Sequence, residues 1–570
     1  MCVVAHTAAP VPGLETKGEG WEDAGRGGAV VQTVRRARGR VTNEQRWRDT
    51  GLSALVLILL AYGWLFSGVS VPNERTRVYL TVALVDHGTA AIDAPMRRFG
   101  RVYDLAQAGE QHFTDKAPGA SLLAVPLYAL VRSWSAPEDW SIVDLSNLVR
   151  TWLMVPFGLA GFVLVRSLLR ELELSEPAID VSSLAFSLGT PMFHYSTAFY
   201  GHALVAVMLL AALRCLAAAG VLARARPARS APNDGHARPG RFAAALAGAG
   251  ACAGLAGLIE YQAIALGLVL ALPILFAPGR ARVVGLLAYA AGALPFAALL
   301  LHYNTSAFGG PFELSYQHLV GSSLQELHGF GLAGATFPTR ESLQGLLYSQ
   351  HRGLLFSAPL LTLGLFALPF LLPRFGVALW LVLTVASVYF LYIVASSSVW
   401  FGGWSFGPRL LIPIFGLLTL AAAAVFDRAA RRPALQWCMR GAAVFSILYQ
   451  QAVQASFPEL PPSYERPWAD AIGPMLHAGI VSPNLACKLW GLERSNLIPL
   501  AILVTVVLLI VALRGAMQRR LLQAGAVLGL AALLCAALMS ASPSIAPKEQ
   551  AGWLRLATGW RASETRCLPP

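Results

Sequence analysis

The sequence predicts an all-α polytopic membrane protein. Three observations predict it: a chain 56% hydrophobic and only 13% charged, apolar runs long enough to cross a bilayer, and arginines gathered in short clusters between those runs. Soluble domains carry about 25% charged residues. Runs such as Leu52–Val69, Val283–Leu301, Val377–Val394 and Leu497–Leu513 approach the roughly 20 residues that span about 30 Å of hydrocarbon as a helix. Hydrocarbon offers the backbone no hydrogen-bond partner, so a spanning segment is a helix or a strand of a closed barrel. A barrel would show alternating segments of about ten residues, whereas the apolar runs here are continuous.

From the amino terminus, residues 1–46 read as a disordered, basic cytoplasmic tail, or as the product of an upstream start codon. They contain no apolar run like that of a secretion signal. Gly51–Val71 is then an uncleaved signal anchor that delivers the first outer loop, 72–116, to the non-cytoplasmic face. The arginine clusters Arg35–Arg40, Arg224–Arg241, Arg280 with Arg282, Arg428–Arg440 and Arg514–Arg520 mark the cytoplasmic side. Between them fall further outer loops at 302–351, 397–408 and 456–496, and an external tail after 541. An inside amino terminus and an outside carboxy terminus require an odd number of crossings, and about 13 fit the apolar runs. Pro118–Ser133, about 16 residues long, is the segment expected not to cross; Ala185–Phe199 is the other weak candidate. The organisation that follows is a spanning module over 47–455, then an outer loop, further spans and the external tail over 456–570. The chain is placed in the plasma (inner) membrane.

The net charge of +13 does not point to nucleic acid, because the basic residues flank apolar spans instead of lining one soluble face. Seven cysteines without a CxxC pair give no metal-cluster or thioredoxin signal. Cys487 and Cys567 both fall in external segments, where a disulfide is chemically permitted.

Acidic residues are scarce, so their positions inform. Between 182 and 458 stand only Asp234, Glu260, Glu313, Glu326, Glu341 and Asp427, while the first outer loop alone holds Glu74, Asp86, Asp93, Asp104, Glu110 and Asp115. Glu74 follows the first span directly, in Pro72-Asn73-Glu74-Arg75-Thr76-Arg77. A carboxylate at the membrane boundary meets a lipid-borne substrate with its basicity raised by partial desolvation, which suits a general base. The bland alternative is a local ion pair with Arg75 or Arg77. At the loop's end, in Asp115-Lys116-Ala117-Pro118-Gly119, Lys116 reaches headgroup depth and suits a lipid phosphate, with snorkelling as its alternative. Glu260 sits where two spans meet, either as a functional intramembrane acid or in a structural pair with an arginine such as Arg352. Arg352 and Arg409 flank Gly or Pro at outer boundaries, where guanidinium forks clamp phosphate or merely anchor. Trp400, Trp404 and Phe406 form either a sugar-stacking platform or an interfacial belt.

The run Asn73-Glu74-Arg75, Ala83-Leu84-Val85-Asp86-His87-Gly88, Ile92-Asp93 and Asp115-Lys116-Ala117-Pro118-Gly119 resembles the first loop of type C (GT-C) glycosyltransferases. These are multispanning enzymes related to protein O-mannosyltransferases and lipid A aminoarabinose transferases. Later segments are similar too: Tyr195-Ser196-Thr197 with Gly201-His202, Phe308-Gly309-Gly310-Pro311-Phe312, His351-Arg352-Gly353-Leu354-Leu355 and Trp404-Ser405-Phe406-Gly407-Pro408-Arg409. The resemblance implies a GT-C-like bundle and a polyprenyl-phosphate-sugar donor. It also implies transfer at the outer face to a glycan, lipid or protein acceptor. Glu74 matches the family's acid after the first span, with Asp93 next in line, and Lys116 matches the residue that meets the lipid phosphate. Asp115, His202, Glu260, Arg352, Arg409 and Trp404 complete the expected substrate-binding set. Relatives often have an acid where this chain has His202, which leaves a divalent cation open while no metal ligand is assigned. The expected reaction is a single inverting displacement with Glu74 as base. The rivals are a membrane transporter or lipid-linked-glycan flippase, a non-catalytic assembly factor, and a ligase or polymerase using a lipid diphosphate.

Overall fold

A computed structural model describes residues 51–52, 54–63, 70–135, 139–222, 239–321, 336–350, 352–456 and 458–477. The amino-terminal tail, Cys487, Cys567, Leu497–Leu513 and the external tail lie outside the described residues. The chain divides into two compact units. The described residues of the first, Met1–Val56, are helical, and everything below concerns the second, Leu57–Pro570.

The described chain is mostly helical. Six of its helices are long and apolar enough to cross a membrane: Ile142–Glu171, Gly201–Ala218, Gly240–Ile259, Gly279–Phe308, Val377–Ser396 and Arg409–Arg431. Ala54–Gly63, Ala263–Phe276 and Pro359–Phe370 are shorter apolar helices. Local chemistry sets their ends. Ile142–Glu171 starts on a capping box, in which Ser141 Oγ accepts from the Asp144 amide and Asp144 Oδ2 accepts from the Ser141 amide. Gly279–Phe308 begins after Pro278 and stops at Gly309, whose φ of 87° is left-handed. Where lipid gives helices no hydrophobic reason to associate, small residues let backbones approach. The helices Pro239–Ile259 and Gly279–Phe308 meet in this way, since a Cβ at Gly250 would overlap Tyr289 O and one at Gly292 would overlap Ala247 O.

The segment read from sequence as a polar outer loop is largely folded, and its first helix is mostly buried. It holds a helix Pro72–Asp86, a short helix Asp93–Phe99 and a hairpin of Leu105–Ala108 with Gln111–Thr114, in the register Leu105↔Thr114. Residues 318–320 extend the hairpin: Gln107 N donates to His318 O at 2.8 Å, and Val320 N donates to Leu105 O at 3.0 Å. Pro118–Ser133 corresponds to a 16-residue helix, Gly119–Trp134, packed on Pro72–Asp86. Ala185–Phe199 is not one segment, because Glu176–Leu188 ends at Gly189 and a short turn of helix, Met192–Tyr195, follows.

Polar pairs gather at both ends of the helices. At one end, Arg214 meets Glu171 at 3.4 Å, Arg374 Nη2 donates to Leu172 O at 2.8 Å, and Asp427 accepts from the Ser175 amide at 2.9 Å. At the other stand His202 in the first turn of its helix, Glu260 just past Ile259, Phe308, and Arg409.

Candidate functional site

That second end collects the motif residues. Arg77, on Pro72–Asp86, is 1% exposed and donates to Glu260 Oε1 at 2.7 Å and to Asn73 Oδ1 at 3.2 Å. Glu260 thus pairs with an arginine, the alternative weighed from sequence, and that arginine is Arg77. His202 Nδ1 lies 3.8 Å from the same Oε1. Gly201 makes this approach feasible, since a Cβ there would overlap the Glu260 carboxylate.

Lys116 is held by Asp104 at 3.1 Å and Asp115 at 2.5 Å. A Cβ on Gly119 would come within 2.6 Å of Leu258 O, so the Pro118-Gly119 break seats this turn on the end of Pro239–Ile259. Burial pushes Asp115 up to about 6, against the pull of the Lys116 charge. Burial opposes the Lys116 charge in turn, but Asp104 and Asp115 outweigh it and hold the ammonium more firmly charged than usual. Asp115 Oδ1 has no hydrogen-bond partner among the described residues. Arg77, Lys116 and Arg409 all lie within electrostatic reach of His202. The structure therefore brings Asp115, Lys116, His202, Glu260 and Arg409 to one place, together with Arg77.

Glu74 lies apart from that exchange. It is completely buried and forms a bidentate pair with Arg150 Nε and Nη2, while Oε1 also accepts from the Phe199 amide at 2.6 Å. Its partner is neither Arg75 nor Arg77. Arg150 opens the π-helical turn Arg150–Met154, inside the helix Ile142–Glu171. With no exposed surface and these three donors, the Glu74 carboxylate is built into the interior as one half of a buried ion pair. The full burial and the pair with Arg150 differ from the partly desolvated boundary position read from sequence.

Arg352, 1% exposed, donates to Phe401 O at 2.7 Å and Gly403 O at 2.9 Å, fastening the loop before Arg409. Burial lowers its pKa to about 10. Arg409 stacks over the Tyr200 ring at 5.2 Å, and its Nε has no hydrogen-bond partner among the described residues. Trp404 is 47% exposed, whereas Phe406 is buried against Tyr449 and Trp400 packs at Gly345, so these three do not form one platform. Asp93 sits further out. Its Oδ2 accepts from the His112 amide at 3.0 Å, and Oδ1 lies 2.7 Å from His112 Nδ1. Partial burial is outweighed by these bonds and the His112 charge, so Asp93 is held below the usual carboxylate range.

Sequence reading missed Glu459. It is fully buried, both its oxygens lack a hydrogen-bond partner among the described residues, and it lies 3.5 Å from His194 Nε2. His194 Nδ1 in turn lies 2.9 Å from Gln454 Oε1. Nothing in the local sequence marks Glu459, because the residues it meets are far away along the chain. Among the described residues no group of three His, Cys, Asp or Glu side chains is placed to hold a metal ion.

No family model and no curated protein matches the chain. Among solved structures it is similar to ArnT from Cupriavidus metallidurans bound to undecaprenyl phosphate, with 16% identity and a TM-score of 0.47 over 91% of this chain and 79% of that one. The apo form of ArnT matches at 15% identity and 0.47, over 87% and 75%. Archaeal oligosaccharyltransferase AglB from Archaeoglobus fulgidus, in complex with an inhibitory peptide and a dolichol-phosphate, matches at 14% identity and 0.48, over 76% and 58%. At that distance these likenesses do not bear on the site, which is read from this chain's own residues.

Proposed function

We propose that the chain is a glycosyltransferase that moves a sugar from a polyprenyl-phosphate carrier to an acceptor hydroxyl at the non-cytoplasmic face of the membrane. One observation carries this reading. Residues from motifs far apart in sequence, Arg77, Asp115, Lys116, His202, Glu260 and Arg409, gather at the helix ends opposite the Arg214 and Arg374 pairs. A transport path would instead need ionisable groups distributed through the membrane depth.

The chemistry is displacement at the anomeric carbon. The acceptor oxygen bonds to that carbon, the bond to the phosphate oxygen breaks, and the acceptor proton passes to a base. Lys116 and Arg409 hold the phosphate as its charge develops, with Arg77 behind them. Asp115 is the base, because one of its oxygens is unpartnered and its pKa of about 6 lies near working pH. Glu74, expected from sequence in that role, here anchors Phe199 and Arg150 so that Tyr200 supports Arg409. Asp93 orients His112 at the rim.

The test is transfer in proteoliposomes from a panel of polyprenyl-phosphate sugars. Lys116→Ala and Arg409→Ala should each lower turnover or donor affinity about tenfold or more. Gradient-dependent movement of substrate with no covalent transfer by the wild type would replace this reading with a transporter.

A further inference from the structure

The end of the helix Gly279–Phe308 and the loop after it carry groups that the displacement itself does not use. Tyr303 and Asn304, 8% and 1% exposed, sit in its last turns. The Tyr303 hydroxyl and Asn304 Oδ1 have no hydrogen-bond partner among the described residues. Burying such groups unpaired is unfavourable, so their persistence points to a partner that arrives with a ligand. Next to them, the rings of Tyr261 and Tyr316 pack edge to face with centroids 5.6 Å apart. Asn304 Nδ2 donates to Pro311 O at 3.1 Å, and Ser315 Oγ donates to Asp115 O at 2.7 Å. The loop that carries Tyr316 is therefore tied both to the helix end and to the Asp115-Lys116 turn. Asp115 lies within electrostatic reach of Tyr261, Tyr303 and Tyr316. The region is partly open at Asp104, Lys116 and Tyr316 and closes on Asp115, Tyr261 and Tyr303.

We propose that Tyr261, Tyr303 and Tyr316, with Asn304 fixing the loop, form the subsite for the sugar ring of the lipid-linked donor, and that this ring is uncharged and rich in hydroxyls. The proposal rests on the glycosyltransferase reading above. Phenol faces present apolar area for a pyranose or furanose ring, and the unpartnered Tyr303 hydroxyl and Asn304 amide oxygen pair with its hydroxyls. Charge sets the class. Asp115 is already paired with Lys116 and Glu260 with Arg77, so a charged group on the ring finds no unpaired counter-charge among them and incurs its desolvation cost, which a neutral ring does not.

The test compares binding of farnesyl phosphate with binding of farnesyl-phosphoryl mannose, glucose and arabinose to the full-length protein in neutral detergent. In the wild type the sugar should add affinity over bare farnesyl phosphate. Tyr303→Phe should cut that increment about threefold to tenfold, Tyr316→Ala should cut it as well, and neither should change affinity for farnesyl phosphate. Lys116→Ala should weaken all the ligands alike. If both tyrosine variants keep the wild-type increment for every sugar while Lys116→Ala weakens binding, the subsite falls and the glycosyltransferase reading stands. A wild type that gains nothing from any of the sugars overturns the subsite directly. A wild type that binds neither lipid phosphate nor its glycosides overturns both.

Discussion

At Glu74, two roles separate by their energies. Replacing a general base typically costs a hundredfold to ten-thousandfold in rate, about 2.7–5.5 kcal/mol of activation energy, with the fold intact. Removing one partner of a buried ion pair costs about 3–5 kcal/mol of stability instead. With Arg150 as partner, Glu74→Gln should lower the melting temperature markedly. An Arg150→Met change made with it should recover part of the loss, because the uncompensated charge is then gone. A Glu74→Gln protein with wild-type melting behaviour and no activity would return the base role to Glu74. Asp115 makes the opposite prediction. Its carboxyl must be ionised to accept a proton, and burial raises its pKa to about 6. Donor turnover should therefore fall as pH drops through about 6. The linkage sign for stability runs the other way: a raised carboxyl pKa favours the fold below the unfolded value of about 3.9, and that contribution is lost as pH rises through about 6. Asp115→Asn should flatten the acidic limb of the rate profile and cost about a hundredfold or more in rate.

At the scale of elements, hydropathy finds what lipid demands and little else. Val283–Leu301 and Val377–Val394 fall inside the helices Gly279–Phe308 and Val377–Ser396 because long apolar runs have few other ways to satisfy their backbones. The folding of 72–116 was not legible, because Pro72–Asp86 buries polar residues, Asn73, Glu74, Thr76 and Arg77, and the partners of Glu74 and Arg77 come from segments far along the chain. The same reason hides the site's pairings. Motif order marks Lys116 and His202, and a place between two spans marks Glu260, but no spacing rule joins Arg77 to Glu260 or Glu74 to Arg150, which are 183 and 76 residues apart. Gly201 is where one element fixes another. Gly201→Ala forces the Glu260 carboxylate away from Arg77 and His202, so it should cost about 1–3 kcal/mol of stability. Donor affinity should fall beyond what that stability loss explains. Equal donor affinity in the folded fraction would show that the Arg77–Glu260 pair is structural only.

For the whole molecule, the two polar ends of the bundle make orientation a physical question. Arg214, Arg241, Arg280, Arg282, Arg374 and Arg428 lie toward one end, and the Arg77–Glu260 and Lys116–Asp115 pairs lie at the other. Insertion retains short basic segments in the cytoplasm, because moving an arginine across the hydrocarbon is costly. That rule predicts an outward-facing second end, with the site. Reporter fusions after residue 46 and near residue 235 should read cytoplasmic, and fusions near residues 100, 325, 475 and 560 should read external. The pair near 100 and 235 decides the chemistry, because the first tags the loop that carries Asp115 and Lys116 and the second tags the richest arginine cluster. An external signal at 235 with a cytoplasmic one at 100 would invert the molecule, put the phosphate-holding cations on the cytoplasmic side, and turn the proposed transfer into a cytoplasmic reaction. An external signal at 560 fixes an odd number of crossings, whereas a cytoplasmic one there, with the other fusions unchanged, would confine the error to the spans after residue 477 and leave the site's orientation as argued.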